Sequence, residues 1–254
     1  MIRSPMLALL LTVAVVWHSR PRLCLTSAFG GTQPGAAVPQ RDEALWARLH
    51  EIDSRAGRIR SLSASFEQKK STALLRKPLV STGRIRIKAT VMRWDTDKPE
   101  PSVLLIGERE ARIYYPDQKL LEVYPLDQRL GELAASPLPR LDALAKKFSF
   151  EQIPTKDLDP KAEPSQFLAL RLVPTDAALR EHVKEVRVLL DVRGAYIVAA
   201  EMIDADGDRT VLTFAEVKPN ADVGDLELHV PAGTKATRPL EGAGGERDSK
   251  EHVK

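Results

Sequence analysis

Cysteine, aromatic residues and long apolar runs are all scarce in this 254-residue chain. The one cysteine, Cys24, excludes an intrachain disulfide framework and any multi-cysteine metal site. Aromatic residues make up 5% of the chain, so an extended apolar surface would have to be mainly aliphatic. The apolar run Met6–Trp17 has 12 residues, short of the ~20 that a membrane-spanning helix needs. There is no Gly-x-Ser-x-Gly elbow, no His-Glu-x-x-His, no Walker loop and no Gly-x-Gly-x-x-Gly. Beyond the N-terminal segment the histidines are His50, His182, His229 and His252, each isolated in sequence. Asp204-Ala205-Asp206-Gly207-Asp208 has calcium-loop chemistry but the wrong spacing. The third acid follows the glycine, and the twelfth position is Ala215 rather than Glu. A turn of Asp and Gly is the simpler reading. No enzyme, metal or cofactor is expected from this inventory.

Charge excludes another class. The formal net charge is +3, but the first 30 residues carry Arg3, Arg20 and Arg22 and no acid. Without them 35 basic residues face 35 acidic ones. A nucleic-acid binder keeps its basic excess in the folded part, so nucleic acid is not an expected partner.

What is present begins with an export signal over residues 1–28: Arg3, the apolar run, then small residues at Thr26-Ser27-Ala28. An uncleaved membrane tether is the alternative reading. Arg22 and Leu23 precede Cys24 where lipidation would require small residues. Residues 29–40 are rich in Gly, Pro and Ala and read as a linker. Residues 41–235 read as one domain, and 236–254 as a charged, disordered tail.

Within the domain, Asp42 is placed to cap a helix whose apolar stripe is Leu45, Leu49, Ile52 and Ala56, ending near Gly57. The period then changes to two. Leu62, Ala64 and Phe66 alternate with serines, and Ile85 and Ile87 alternate with Arg84, Arg86 and Lys88. Further strands are expected at 92–94, 103–106, 112–115, 120–124, 168–172, 186–192, 195–203, 209–217 and 226–230. A second helix is expected over 137–148, with Leu138, Leu141, Leu144 and Phe148 on one face. Residues 154–165 read as a loop. The fold class is mainly β with helices: about ten short strands, antiparallel because their connections are short. A closed barrel, a sandwich and a half-barrel covered by helices all fit that pattern.

Several segments resemble the LolA-like family of periplasmic lipoprotein carriers, in order, from about residue 42 to 235. They are Phe66-Glu67-Gln68, Gly83-Arg84-Ile85, Arg93-Trp94, the downstream Pro99 or Pro101, and Gly107 to Tyr115-Pro116. In the second half they are Leu172-Val173-Pro174, Val186–Gly194, Met202–Phe214 with its Asp206-Gly207 turn, and Leu226–Gly233. The resemblance implies an unclosed antiparallel β-barrel with lid helices over an apolar cavity. It also implies a carrier in the periplasm that takes lipoprotein acyl chains from an inner-membrane ABC-type release complex to an outer-membrane acceptor, as a monomer. A carrier of another lipid and an envelope-stress sensor are the variants. On this reading the lid face is Leu45, Leu49 and Ile52. The inward sheet candidates are Phe66, Ile85, Ile87, Met92, Trp94, Ile113, Leu170, Val188, Met202, Leu212 and Phe214. A one-residue slip of register would invert the sheet set. The chain departs from the family pattern before Trp94, where no proline occurs and Lys88 is the only basic candidate.

Overall fold

The computed structural model describes residues 42–126 and 141–239. The expected signal peptide, Cys24, the linker, residues 137–140 and the tail from residue 240 lie outside the described residues. Asp42 caps helix α1 (Glu43–Ala56) by accepting a hydrogen bond from the Leu45 N–H at 3.0 Å. Six strands follow: β1 (Ser61–Ser71), β2 (Leu79–Lys88), β3 (Val91–Lys98), β4 (Ser102–Ile106), β5 (Glu110–Tyr115) and β6 (Leu120–Pro125). A short helix α2 (Leu141–Ala145) leads into β7 (Phe148–Ile153), a 3₁₀ turn at Thr155–Asp157 and β8 (Phe167–Pro174). Helix α3 (Ala177–Arg180), β9 (Val183–Asp191), β10 (Tyr196–Asp204), β11 (Arg209–Pro219) and β12 (Lys235–Thr237) complete the order.

All twelve strands form one sheet in the order β12-β6-β5-β4-β3-β2-β1-β11-β10-β9-β8-β7. It is two meanders, β1–β6 and β7–β11, joined where β1 pairs antiparallel with β11. The two edges, β12 and β7, do not pair with each other, so the sheet is unclosed. The mainly β arrangement expected from the alternation is present, and so is the unclosed sheet that the family resemblance implies, with two strands among the described residues beyond the rough count.

Three local expectations need correction. Residues 226–230 alternate like a strand but do not form one. They belong to a strap, residues 220–234, that leaves β11 and reaches β12 across the polar face of the sheet. Its carbonyls are held by side chains instead of a neighbouring strand: Ser61 Oγ donates to Ala221 O at 2.6 Å, Arg86 to Val223 O and Arg93 to Glu227 O. Asp95 bridges the same two arginines at 2.9 Å each, which offsets the repulsion between Arg86 and Arg93, directly opposite across β2 and β3. Second, residues 235–237 pair parallel with β6 and are not wholly tail. Third, Phe148 does not extend the second helix. Among the described residues that helix ends at Ala145, and Phe148 opens the edge strand β7, which pairs with β8 through six residue pairs. A ladder of backbone hydrogen bonds outweighs an apolar spacing that fits one more helical turn.

The polar face of the second meander carries a charge ladder. Glu185 is buried and accepts from Arg171 Nε at 2.7 Å and pairs with Arg187 Nη2 at 2.6 Å. Arg171 also pairs with Glu151 at 2.9 Å, and Glu201 with Arg187 and Arg209. Burial pushes the Glu185 carboxyl up, but the Arg171 hydrogen bond and the adjacent Arg187 charge outweigh it, and the net shift is downward. Beside it the 154–165 loop packs Ala162 and Leu158 on Ala169, Leu189 and Ala199, with Thr155 Oγ1 donating to Ala162 O at 2.7 Å.

Two outcomes follow for stability. Ile52, among the most fully buried side chains, joins α1 to the sheet, and Ile52→Ala is expected to lower the unfolding free energy by about 2–5 kcal/mol in urea titration. The second concerns pH. A carboxyl held below its ordinary value stabilises the fold above the unfolded pKa of about 4.3 and loses that contribution as pH falls through the folded value. Thermal melts of Glu185→Gln should therefore lie well below the parent near pH 7 and converge on it below about pH 4. A gap that stays constant with pH would show that the carboxylate charge is not what matters.

Candidate functional site: the apolar face of the sheet

Residues directly opposite in neighbouring strands share a face, so the register assigns every inward candidate. One row across the first meander is Leu62, Ile87, Met92 and Ile106, and the next is Ala64, Ile85, Trp94, Leu104 and Ile113. At the seam Phe66 lies opposite both Gly83 and Phe214. A further row runs Gln68, Leu212, Ala200, Val188, Leu170 and Gln152 through the seam into the second meander. Thus Phe66, Ile85, Ile87, Met92, Trp94, Ile113, Leu170, Val188, Leu212 and Phe214 all occupy one face. Met202 is on it too, but at the far end, packed with Leu179 and Val183 beside α3. Lys88 is exposed and lies on the opposite face, in alternation with Ile87.

Three aromatic rings mark the seam. Phe66 and Trp94 have ring centroids 4.3 Å apart, and Trp94 meets Phe214 edge-on at 6.4 Å. Gly83 makes this packing possible. A Cβ there would lie 2.0 Å from Asp95 O and 2.9 Å from Phe66 Cε1, so any side chain would displace the ring or the strand. The residue type at position 83 is thus dictated by the close approach of β3 and an aromatic ring.

Helix α1 covers only part of this face. Its stripe of Leu45, Leu49, Ile52 and Ala56 packs on Leu168, Leu170, Leu172, Val188 and Leu190 of the second meander, together with Leu141 of α2. The cluster over the first meander, from Leu62 to Tyr124, contains no residue of α1. Long-range polar contacts hold the C-terminal end of the helix. Arg55 Nη2 donates to Val192 O at 2.8 Å, and Asp53 Oδ1 accepts from the Leu141 N–H at 3.1 Å.

The face is not uniformly apolar. Toward the β1–β2 hairpin it carries Gln68, Ser81, Thr96, Ser102 and Thr210, all buried. Gln68 is 2% exposed, and neither its amide nitrogen nor its amide oxygen has a hydrogen-bond partner; Trp94 Nε1 is likewise buried and unpartnered. An unmet buried donor or acceptor costs about 1–3 kcal/mol. In the sequence Gln68 is marked only as part of the Phe66-Glu67-Gln68 motif. Its signal was a polar residue breaking the alternation Leu62, Ala64, Phe66 at the next inward position.

The arrangement offers no catalytic constellation among the described residues. The hairpin at Asp204–Asp208 is a turn, with Gly207 at φ +87° and its N–H donating to Asp204 O at 3.0 Å. Burial pushes the Asp204 carboxyl up, with Lys70 opposing and Asp208 and Asp206 adding to the shift. On the strap, ligand atoms of Asp225, Glu227 and His229 come within 4.8 Å of one another, but all three are exposed. Alternating positions of an extended chain produce such a grouping without an ion. No helix among the described residues is long and apolar enough to cross a membrane.

Comparisons with known proteins assign a family. The family model described as "Outer membrane lipoprotein carrier protein LolA" matches residues 57–227. An outer-membrane lipoprotein carrier protein of Pseudomonas aeruginosa is 24% identical over 221 residues, covering 84% of this chain and 97% of the relative. One of Azotobacter vinelandii is 27% identical over 207 residues, covering 77% and 88%. Among solved structures, an uncharacterized conserved protein of Thermus thermophilus superposes with a TM-score of 0.47 at 14% identity, covering 77% of this chain and 99% of that one. With the family pattern running from the end of α1 through β11 into the strap, this chain belongs to the LolA family of outer membrane lipoprotein carrier proteins.

Proposed function

We propose that this protein is a periplasmic carrier that holds the acyl chains of lipoproteins on the apolar face of its open sheet and moves them from the inner to the outer membrane. The observation that carries the reading is an apolar face continuous across the β1–β11 seam, with α1 packed over one half of it only. Each buried CH₂ contributes about 0.8 kcal/mol, so a long acyl chain crossing water unshielded would be disfavoured by on the order of 10 kcal/mol. A carrier needs no catalytic group, only a surface that can be covered and uncovered. The ligand-contacting set is Phe66, Ile85, Ile87, Met92, Trp94, Ile113, Leu170, Val188, Met202, Leu212 and Phe214, with Leu45, Leu49 and Ile52 as the lid that closes on them.

Loading would come from an ABC-type release complex in the inner membrane and unloading would be to an outer-membrane acceptor. The N-terminal signal peptide exports the chain, and it works as a monomer without nucleic acid, metal or cofactor.

The test is native mass spectrometry of the exported protein purified without detergent, with extraction and identification of bound lipid. Co-purification with acylated lipoprotein or its lipid anchor is expected. A different bound lipid would change the cargo and keep the carrier. Protein that is always empty, and that takes up no added lipoprotein, would refute the proposal. A second outcome uses the aromatic seam: in a Trp46→Phe background the intensity of Trp94 fluorescence should change on lipid uptake, as acyl chains repack around its ring. Phe66→Asp, which buries a charge beside Trp94, should abolish that uptake.

A further inference from the structure

The inward row that begins at Gln68 poses a problem that packing alone does not answer. Gln68 has Leu212 on one side and Ser81 on the other. Its amide carries two donors and an acceptor, and both polar atoms are buried without a partner. Leu or Met would fill a similar volume at this position with no polar group to satisfy. The neighbouring inward residues Ser81, Thr96 and Ser102 make the same end of the first meander polar, whereas the rows led by Leu62 and Ala64 are apolar. Polarity therefore changes along the strands of the first meander: the apolar rows lie toward α1's connection to β1, the polar rows toward the β1–β2 hairpin. Trp94 Nε1, the other buried unpartnered donor on this face, lies two rows from Gln68 among the apolar residues.

A ligand with long alkyl chains and a few carbonyl groups at one end matches that gradient. We propose that Gln68 is the polar contact for the ester or amide linkages of an acylated ligand. Its Nε2 donates to an acyl carbonyl oxygen, its Oε1 accepts from an amide N–H of the ligand, and the chains extend from there over the rows of Trp94 and Met92. The assignment rests on the carrier reading and adds to it the orientation of the cargo and the chemical group that is read. Hydrocarbon alone cannot orient a ligand on a smooth apolar face, because apolar contact has no direction. An amide that is satisfied only when a carbonyl reaches it can.

Two synthetic lipopeptides test it, one with a diacylglyceryl-cysteine whose chains are ester-linked, the other its dialkyl ether analogue with chains of equal length. The ether keeps the hydrocarbon and the peptide and lacks the ester carbonyls. The full-length exported protein is expected to hold the ester form about tenfold more tightly than the ether form. In Gln68→Leu that ratio should fall to about one, while the melting temperature rises because the buried amide is gone. A parent protein that does not distinguish the two, or a Gln68→Leu variant that keeps the preference, would overturn the assignment. Infrared spectra of the parent complex with ¹³C-labelled ester carbonyls need no variant. A carbonyl band lowered from its position in hydrocarbon solvent is expected, and an unshifted band would refute the contact. If neither lipopeptide binds the parent at all, the carrier reading falls and this assignment with it, which separates that failure from a lost preference.

Discussion

The pairing of β1 with β11 is the contact on which the rest of the structure depends. Each half of the chain is a meander that could curl on itself, and each would then bury its own apolar side chains. The ladder from Leu62–Pro219 to Ser71–Arg209 joins them into one sheet instead. It also aligns the inward side of the first meander with that of the second, because a direct antiparallel pair forces Phe66 and Phe214, then Gln68 and Leu212, onto the same face. An irregularity between Ser63 and Ser65 keeps this phase, with Glu216 on β11 at φ +51°. A one-residue slip at this seam would set the two apolar faces back to back.

From that constraint comes an unequal covering. Helix α1 lies just before β1 in sequence, yet its stripe packs on β8 and β9. The aromatic cluster at the seam belongs to the other half. The opposite face of the same sheet is held in another way. There the strap is held by Ser61, Arg86 and Arg93, the 154–165 loop by Thr155, and the charges of Glu185 and Glu201 by three arginines. Ion pairs and directional hydrogen bonds hold much of the outer face, whereas the inner face relies mainly on apolar packing, which tolerates rearrangement. That contrast suits a surface that must exchange its own cover for a ligand.

Much of this was legible in the residues. The alternations Leu62-Ala64-Phe66, Ile85-Ile87 and Leu168-Leu170-Leu172 identified strands and their inward sides, and Asp42 with the Leu45 stripe identified α1. The LolA resemblance rested on segments that, apart from Leu226–Gly233 at the end, fall within the matched residues 57–227. The failures have physical causes. Residues 226–230 alternate because Leu226 is buried and Glu227 is not, and an extended strap across a sheet produces the same pattern as a strand in it. Phe148 suited a helical spacing, but β8 offered it a complete set of backbone partners. Met202 was read as an inward candidate with no position along the sheet, since periodicity carries no information on distance from the centre of a sheet.

The sequence by itself determined which residues alternate, where the chain turns and which side chains need burial, because these follow from steric preference and hydrophobicity within a few neighbouring residues. Only the tertiary structure decided which strands become neighbours, that β12 and β7 stay unpaired with each other, and that α1 sits over the second half alone. These depend on contacts between residues far apart in the chain, such as Arg55 with Val192 and Phe66 with Phe214. The isolation of the Gln68 amide belongs to the same class. A glutamine in a sequence is ordinary, and it becomes exceptional only when β2 and β11 flank it with Ser81 and Leu212, bury it and leave its amide nothing to bond.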